Sequence, residues 1–281
     1  MNNSSFKDII NRVFKSGNPA MLYLGINIIV FLVVLIAGIA VNGSLGNFIN
    51  GTVRPYLGFP ADIAQWPTRF YTLVTYAFLH QDVFHILFNM LWLYWMGNLF
   101  LDFLKPRQFQ VVYWGGAIVG ALAFALIFNL SPNLNVGGAT VIGASAAVMA
   151  VFSAIATLIP NYSIRLLLFG DVRLKYLVLV YIVIDIIGVS NGTGNIGGNF
   201  AHLGGALFGF AYIKLLQNGT DLSSFLIKKP KLKVVRNAQA TKRSEQVNQA
   251  EIDAILDKIS KSGYDKLTTK EKQILFDASK N

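Results

Sequence analysis

Long apolar runs broken by polar segments set the pattern of this chain as far as residue 217. Ala20 to Val41, Val83 to Leu104, Phe109 to Leu130, Ala139 to Ile159, Leu174 to Val189 and Phe200 to Leu216 carry few charges. Crossing a bilayer takes roughly 20 apolar residues, so these runs read as six membrane spans, the fifth rather short. Ahead of them Phe6, Ile9, Ile10, Val13 and Phe14 recur at helical spacing, with Lys7, Arg12 and Lys15 elsewhere on the wheel and Gly17 and Pro19 as a stop. Two readings fit this leader, residues 1–19: a helix lying on the inner membrane surface, or a solvated segment that packs on nothing. Between the first two spans, Asn42 to Asp82 is long enough to need structure or function of its own, and its Tyr56, Phe59 and Trp66 suit a membrane interface.

Beyond Gln217 the pattern becomes soluble and charged. Residues 218–247 read as a linker whose basic run, Lys228 to Lys233, is drawn to anionic lipid. In residues 248–281, Ile252, Ile255, Leu256 and Ile259 form an amphipathic face ended by Gly263. Thr268 with Glu271 then makes a capping box before Ile274 and Leu275. This is a helical hairpin that either packs on itself or binds a partner.

Composition agrees with a membrane protein: 54% of residues are hydrophobic, 14% are charged and the mean hydropathy is +0.51. A net charge of +10 would suit nucleic acid, but 13 of the 24 Lys and Arg lie beyond Asn218, outside the apolar region, so a basic inner tail explains it better. The absence of cysteine removes disulfides, thiolate nucleophiles and thiolate metal sites. No cleavable signal peptide is expected, because the first apolar run comes after a charged, patterned leader and is long enough to stay in the membrane.

Short-loop charges give the orientation. Lys7, Arg12 and Lys15, then Lys105 and Arg107, then Arg165, Arg173 and Lys175 mark inner segments, whereas Ser131 to Gly138 and Ser190 to Gly198 contain no Lys or Arg. Both termini are therefore expected inside, and the second, fourth and sixth spans run from outside to inside. At a rise of about 1.5 Å per residue, Ser145 sits roughly 9 Å and His202 roughly 3 to 5 Å below the outer starts of their spans. His85 and Asn89, one turn apart at the head of the second span, fall in the same layer.

Ionisable and polar side chains within a membrane are costly and point to function. Ser145 lies in Gly143-Ala144-Ser145-Ala146, where small neighbours admit a close helix or a substrate backbone, although such clusters also serve packing alone. His202 could take the Ser145 proton and return it to a leaving amine. Asp185, toward the outer end of the fifth span, is either an orienter or an ordinary inter-helix bond, so a Ser-His dyad is expected rather than a triad. The Ser145 amide, His85 and Asn89 are the available oxyanion donors; Asn89 alone would equally serve as inter-helix glue. Zinc on His80, His85 and His202 is disfavoured, since His80 and His85 are five apart on different helix faces and no H-E-x-x-H occurs. Gly205 and Gly209, with Ala201 a turn earlier, form a small-residue stripe suited to close packing on the fourth span.

His85-x-x-x-Asn89, Gly143-x-Ser145 and Ala201-His202-x-x-Gly205-x-x-x-Gly209 together resemble the three signatures of the rhomboid intramembrane serine proteases. The likeness covers about Ala20 to Gln217 and implies an all-α six-helix membrane bundle. It implies Ser145 as nucleophile, His202 as general base, and His85, Asn89 and the Ser145 backbone as the oxyanion hole. Two positions depart from the family pattern: Ala146 replaces a glycine, and Met149 stands where an aromatic residue often packs on the histidine. The function implied is that of an intramembrane serine endopeptidase of the cell (inner) membrane, cutting single-pass or other transmembrane substrates near the outer face. Such a protein would contact membrane lipid and need no cofactor, metal or nucleic acid. A rhomboid-like protein that binds membrane helices without cutting them is the alternative.

Overall fold

A computed structural model describes residues 6–131, 133–166, 170–190, 195–226 and 249–279. The chain divides into two compact units, residues 1–228 and 229–281. Among the described residues of the first unit, each of the six apolar runs contains a long helix: α1 (Pro19–Asn42), α2 (Val83–Phe103), α3 (Pro106–Leu130), α4 (Ser145–Leu158), α5 (Leu174–Ser190) and α6 (Ile196–Gln217). Three segments, Pro19–Val41, Val83–Phe103 and Pro106–Leu130, are long and apolar enough to cross a membrane by themselves.

Local chemistry fixes where the helices begin. The Asn18 side chain accepts from the amides of Ala20 and Met21, Pro19 occupies the first helical position, and the Asn18 side-chain amide donates to Asn98 on α2, which ties the two helices together. Asp82 caps α2 by accepting from the His85 amide at 2.9 Å, so the cap itself places His85 in the first turn.

The fourth apolar run departs from expectation. Its hydropathy predicts a span from Ala139, but the helix starts at Ser145; Thr140–Val141 is a short strand, β2, paired antiparallel with β1 (Phe59–Pro60). The cause is local: β-branched Thr140, Val141 and Ile142 favour extended backbone, and Gly143, at φ +132°, interrupts any helix. Ser145 therefore stands at the first position of its helix and not six residues into it.

The long connection is a packed structure. Besides the β1–β2 pairing, Trp66 Nε1 donates to the Pro60 carbonyl, Arg69 to the Gly58 carbonyl and Asn129 of α3 to the Ala61 carbonyl. Tyr76, fully buried, donates its hydroxyl to the Ala117 carbonyl of α3.

The bundle closes around α4, whose residues Ala146 to Ala156 are all buried. Its alanines let neighbouring backbones come very close. A Cβ on Gly205 or Gly209 of α6 would run into the carbonyl of Ala146 or Ala150, and one on Gly116 or Gly120 of α3 into the Ala150 or Ala146 methyl. By contrast α5 buries only Leu174 and Asp185 and exposes Leu179, Val180, Val183, Ile184, Ile186 and Ile187. These side chains have the polarity of lipid, as do Ile29, Val33 and Ile36 on α1.

A hairpin, β3 (Ser163–Leu166) and β4 (Gly170–Arg173), joins α4 to α5. In the second unit, α7 (Gln249–Ser262) and α8 (Thr269–Ala278) form a helical pair. Gly263 at φ +82° ends α7, Thr268 and Glu271 make a reciprocal capping box, and Lys258 pairs with Glu271 at 2.8 Å. The basic run 228–233 and most of the 218–247 linker lie outside the described residues.

Candidate active site

The site starts from the break at Gly143. Its amide donates to the Tyr76 carbonyl at 2.9 Å, and the positive φ swings the chain so that Ser145 opens α4 with no side-chain cap on its first-turn amides. The position a Gly143 Cβ would take is 3.0 Å from His85 Nε2 and 3.3 Å from Ser145 Oγ. The glycine therefore keeps clear the ground shared by these two side chains.

His202, in the second turn of α6, reaches Ser145 with its Nε2 2.7 Å from Oγ. The glycines below it make this distance attainable, since they seat α6 directly on the α4 backbone. On its other side, His202 Nδ1 lies 3.0 Å from Asp185 Oδ1. An ionised carboxylate only accepts, so in the neutral imidazole this contact puts the proton on Nδ1 and leaves Nε2 to accept from the Ser145 hydroxyl.

His85 Nδ1 accepts from the Gln81 amide at 3.2 Å, which leaves the proton on Nε2, the atom nearest Gly143. Asn89 donates one amide hydrogen to the His85 carbonyl at 2.8 Å and keeps a second. His85, Asn89, Ser145 and His202 all line one cavity of about 610 Å³. Arg54, Gln81 and Asp82 also line it, and Phe88, Trp92, Phe152 and Tyr181 supply apolar and aromatic wall. Trp92 stacks on Phe152 with centroids 4.9 Å apart.

Of the expected packing residues, Met149 is the one that lines this cavity. Gly143, Ala146 and Met149 are buried at the head of α4, and Gly205 and Gly209 bear on α4 from α6. His80 stands apart: it is 2% exposed, neither ring nitrogen has a hydrogen-bond partner among the described residues, and its ring lies 5.0 Å from that of His85. Burial first, and then the neighbouring His85, push its pKa down to about 3, opposed only in part by the nearby Phe78 backbone, whose approach falls short of a well-formed hydrogen bond. Among the described residues no group of three or more His, Asp or Glu is arranged to hold a metal ion.

Sequence reasoning leaves the Asp185 contact open and does not see the aromatic wall. A signal for Asp185 is present, as the one acid in the apolar run 174–189; its partner depends on the rotation of two helices. The glycine-rich segment 190–199, which could be a flap or a plain connector, has its centre at residues 191–194, outside the described ones. Ser190 ends α5, and Asn195 caps α6.

Fold and site together define a helical membrane protein in which a serine, a histidine and an aspartate from three helices meet beside a partly apolar cavity. The chain belongs to the rhomboid family: the Rhomboid domain model matches residues 67–218. This family consists in general of intramembrane serine proteases. Residues 241–281 match a family of unknown function, DUF6576. Curated relatives include RHOMBOID-like protein 12, mitochondrial, of Arabidopsis thaliana, 32% identical over 49% of this chain and 44% of its own length. Presenilin-associated rhomboid-like protein A, mitochondrial, of Danio rerio is 28% identical over 52% of this chain and 37% of its own length. The chain thus spans less than half the length of either relative.

Proposed function

We propose that this protein is an intramembrane serine endopeptidase that cleaves transmembrane substrates near the outer membrane face. The observation that carries the reading is the 2.7 Å contact between Ser145 Oγ and His202 Nε2 inside a helical membrane domain. Ser145 attacks the scissile carbonyl while His202 Nε2 takes its proton; the Ser145 amide, His85 Nε2–H and the spare Asn89 amide hydrogen receive the developing oxyanion. His202 then returns the proton to the leaving amine, and water completes hydrolysis of the acyl-enzyme.

In this reading six helices cross the membrane with both termini on the inner side of the cell (inner) membrane, as the Lys and Arg of the short loops suggest. Charged and polar Arg54, Gln81 and Asp82, from the first loop and the cap of α2, line part of the cavity, which supports a water-accessible site at the outer ends of the helices. A scissile bond there must leave its helix to expose its carbonyl, so helix-breaking residues on the substrate favour cleavage. A silent membrane-helix binder has no use for a Ser-His contact of this geometry.

The test is cleavage of a single-pass substrate by the purified protein in detergent, with the cut mapped by mass spectrometry. Cleavage near the outer end of the substrate helix, lost in Ser145→Ala and in His202→Ala, is expected. Turnover by Ser145→Ala at the wild-type rate, or a cut at the inner end, contradicts the reading.

A further inference from the structure

We infer that Asp185 orients the catalytic histidine, so that in this protein a positioning carboxylate from a third helix supports the Ser-His pair. The inference rests on the protease reading above and adds a positioning residue to it. Asp185 is 6% exposed on α5, a helix that otherwise buries only Leu174. Its Oδ1 lies 3.0 Å from His202 Nδ1, and its Oδ2 is buried without a hydrogen-bond partner among the described residues. A buried carboxylate is costly unless paired, and His202 is the group the structure offers it.

Two further features bring the pair together. Gly188, one turn beyond Asp185, lies against Asn199, one turn before His202, so closely that a Cβ on Gly188 would strike the Asn199 amide. That close approach draws an otherwise lightly packed helix onto α6 at the level of the histidine. One turn before Asp185, Tyr181 packs edge-on against Trp92 and Phe152 with centroids 5.4 and 5.8 Å away, which fixes the rotation of α5.

The protons balance without a further acid or base. As Ser145 attacks, its hydroxyl proton moves to His202 Nε2, while the Nδ1 proton stays on nitrogen, donated to Asp185 Oδ1. The imidazolium then stands beside a carboxylate until Nε2 gives its proton to the leaving amine. Asp185 is never protonated in the cycle; it holds the reactive tautomer and stabilises a charge that exists only after proton transfer, so its effect falls on turnover more than on substrate binding.

The experiment uses the full-length protein in detergent, with wild type, Asp185→Asn, Asp185→Ala and Asp185→Glu. Relative to wild type, kcat should fall about 10²- to 10⁴-fold in the Asn and Ala variants with KM little changed, and Glu should recover part of the loss. Labelling histidine with 15N gives an independent readout, since the chain has three histidines. Wild type and Ser145→Ala should both show His202 protonated at Nδ1 with a low-field proton, and Asp185→Ala should lose that signal. The NMR result stands whether or not Ser145 is the nucleophile, which cleavage by Ser145→Ala decides separately. Unchanged kcat in Asp185→Asn, or the same His202 tautomer and proton signal in Asp185→Ala, overturns the inference. So does a loss of kcat matched by an equal loss of folded protein with no recovery in Asp185→Glu.

Discussion

Gly143 shows how much a single residue can decide. At φ +132° a side chain strains the backbone by about 1–3 kcal/mol, and a Cβ would press on the His85 ring at 3.0 and 3.1 Å. Gly143→Ala should leave a folded protein whose turnover falls at least about tenfold through displaced oxyanion donors. Gly46→Ala, where a Cβ meets nothing within 4 Å, should be silent in the same assay. His80 makes a different prediction. With its pKa held at about 3 by burial and by His85, it stays neutral in the folded protein while an unfolded chain protonates it below about pH 6.5. The unfolded state therefore binds more protons between these values, and stability falls as pH falls through that window. The unfolding midpoint should drop more between about pH 8 and about pH 5 in wild type than in His80→Leu; equal drops would show that His80 does not carry this dependence.

At the scale of elements, hydropathy finds the runs that become α1 to α6, but it cannot see that Ala139 to Ala144 lies outside the helix. A short apolar, β-branched stretch satisfies a strand and a helix equally, and pairing with Phe59–Pro60, some eighty residues away, decides it. The polar residues that line the cavity are legible because polar side chains in apolar runs are few. The Asp185–His202 contact is not, because it depends on how α5 and α6 are rotated about their axes. The stripe at Gly205 and Gly209 is legible as a close-packing surface, and its target is the α4 backbone at Ala146 and Ala150. Gly209→Val should therefore lever α6 away from α4 and destabilise the bundle by about 1–3 kcal/mol, with turnover lost as Ser145 and His202 separate. Leu207→Val, on the exposed face of α6, should be tolerated. Equal stability and activity for Gly209→Val would contradict this packing.

For the molecule as a whole, the lack of cysteine makes topology open to direct measurement. With single cysteines in intact cells, Asn135→Cys, before the strand that leads to Ser145, should react with a membrane-impermeant thiol reagent added outside. Asp171→Cys, in the hairpin between α4 and α5, should react only after permeabilisation. The reverse pattern would invert the proposed orientation and move the site to the inner face. The central claim, that Ser145 is a nucleophile activated by His202, is tested most directly by covalent capture. Purified wild type, Ser145→Ala and His202→Ala would be incubated with a fluorophosphonate and the modified peptide located by mass spectrometry. An adduct on Ser145 in wild type, absent from both variants while they remain folded, is predicted; an adduct on another residue, or undiminished labelling of Ser145 in His202→Ala, would contradict it.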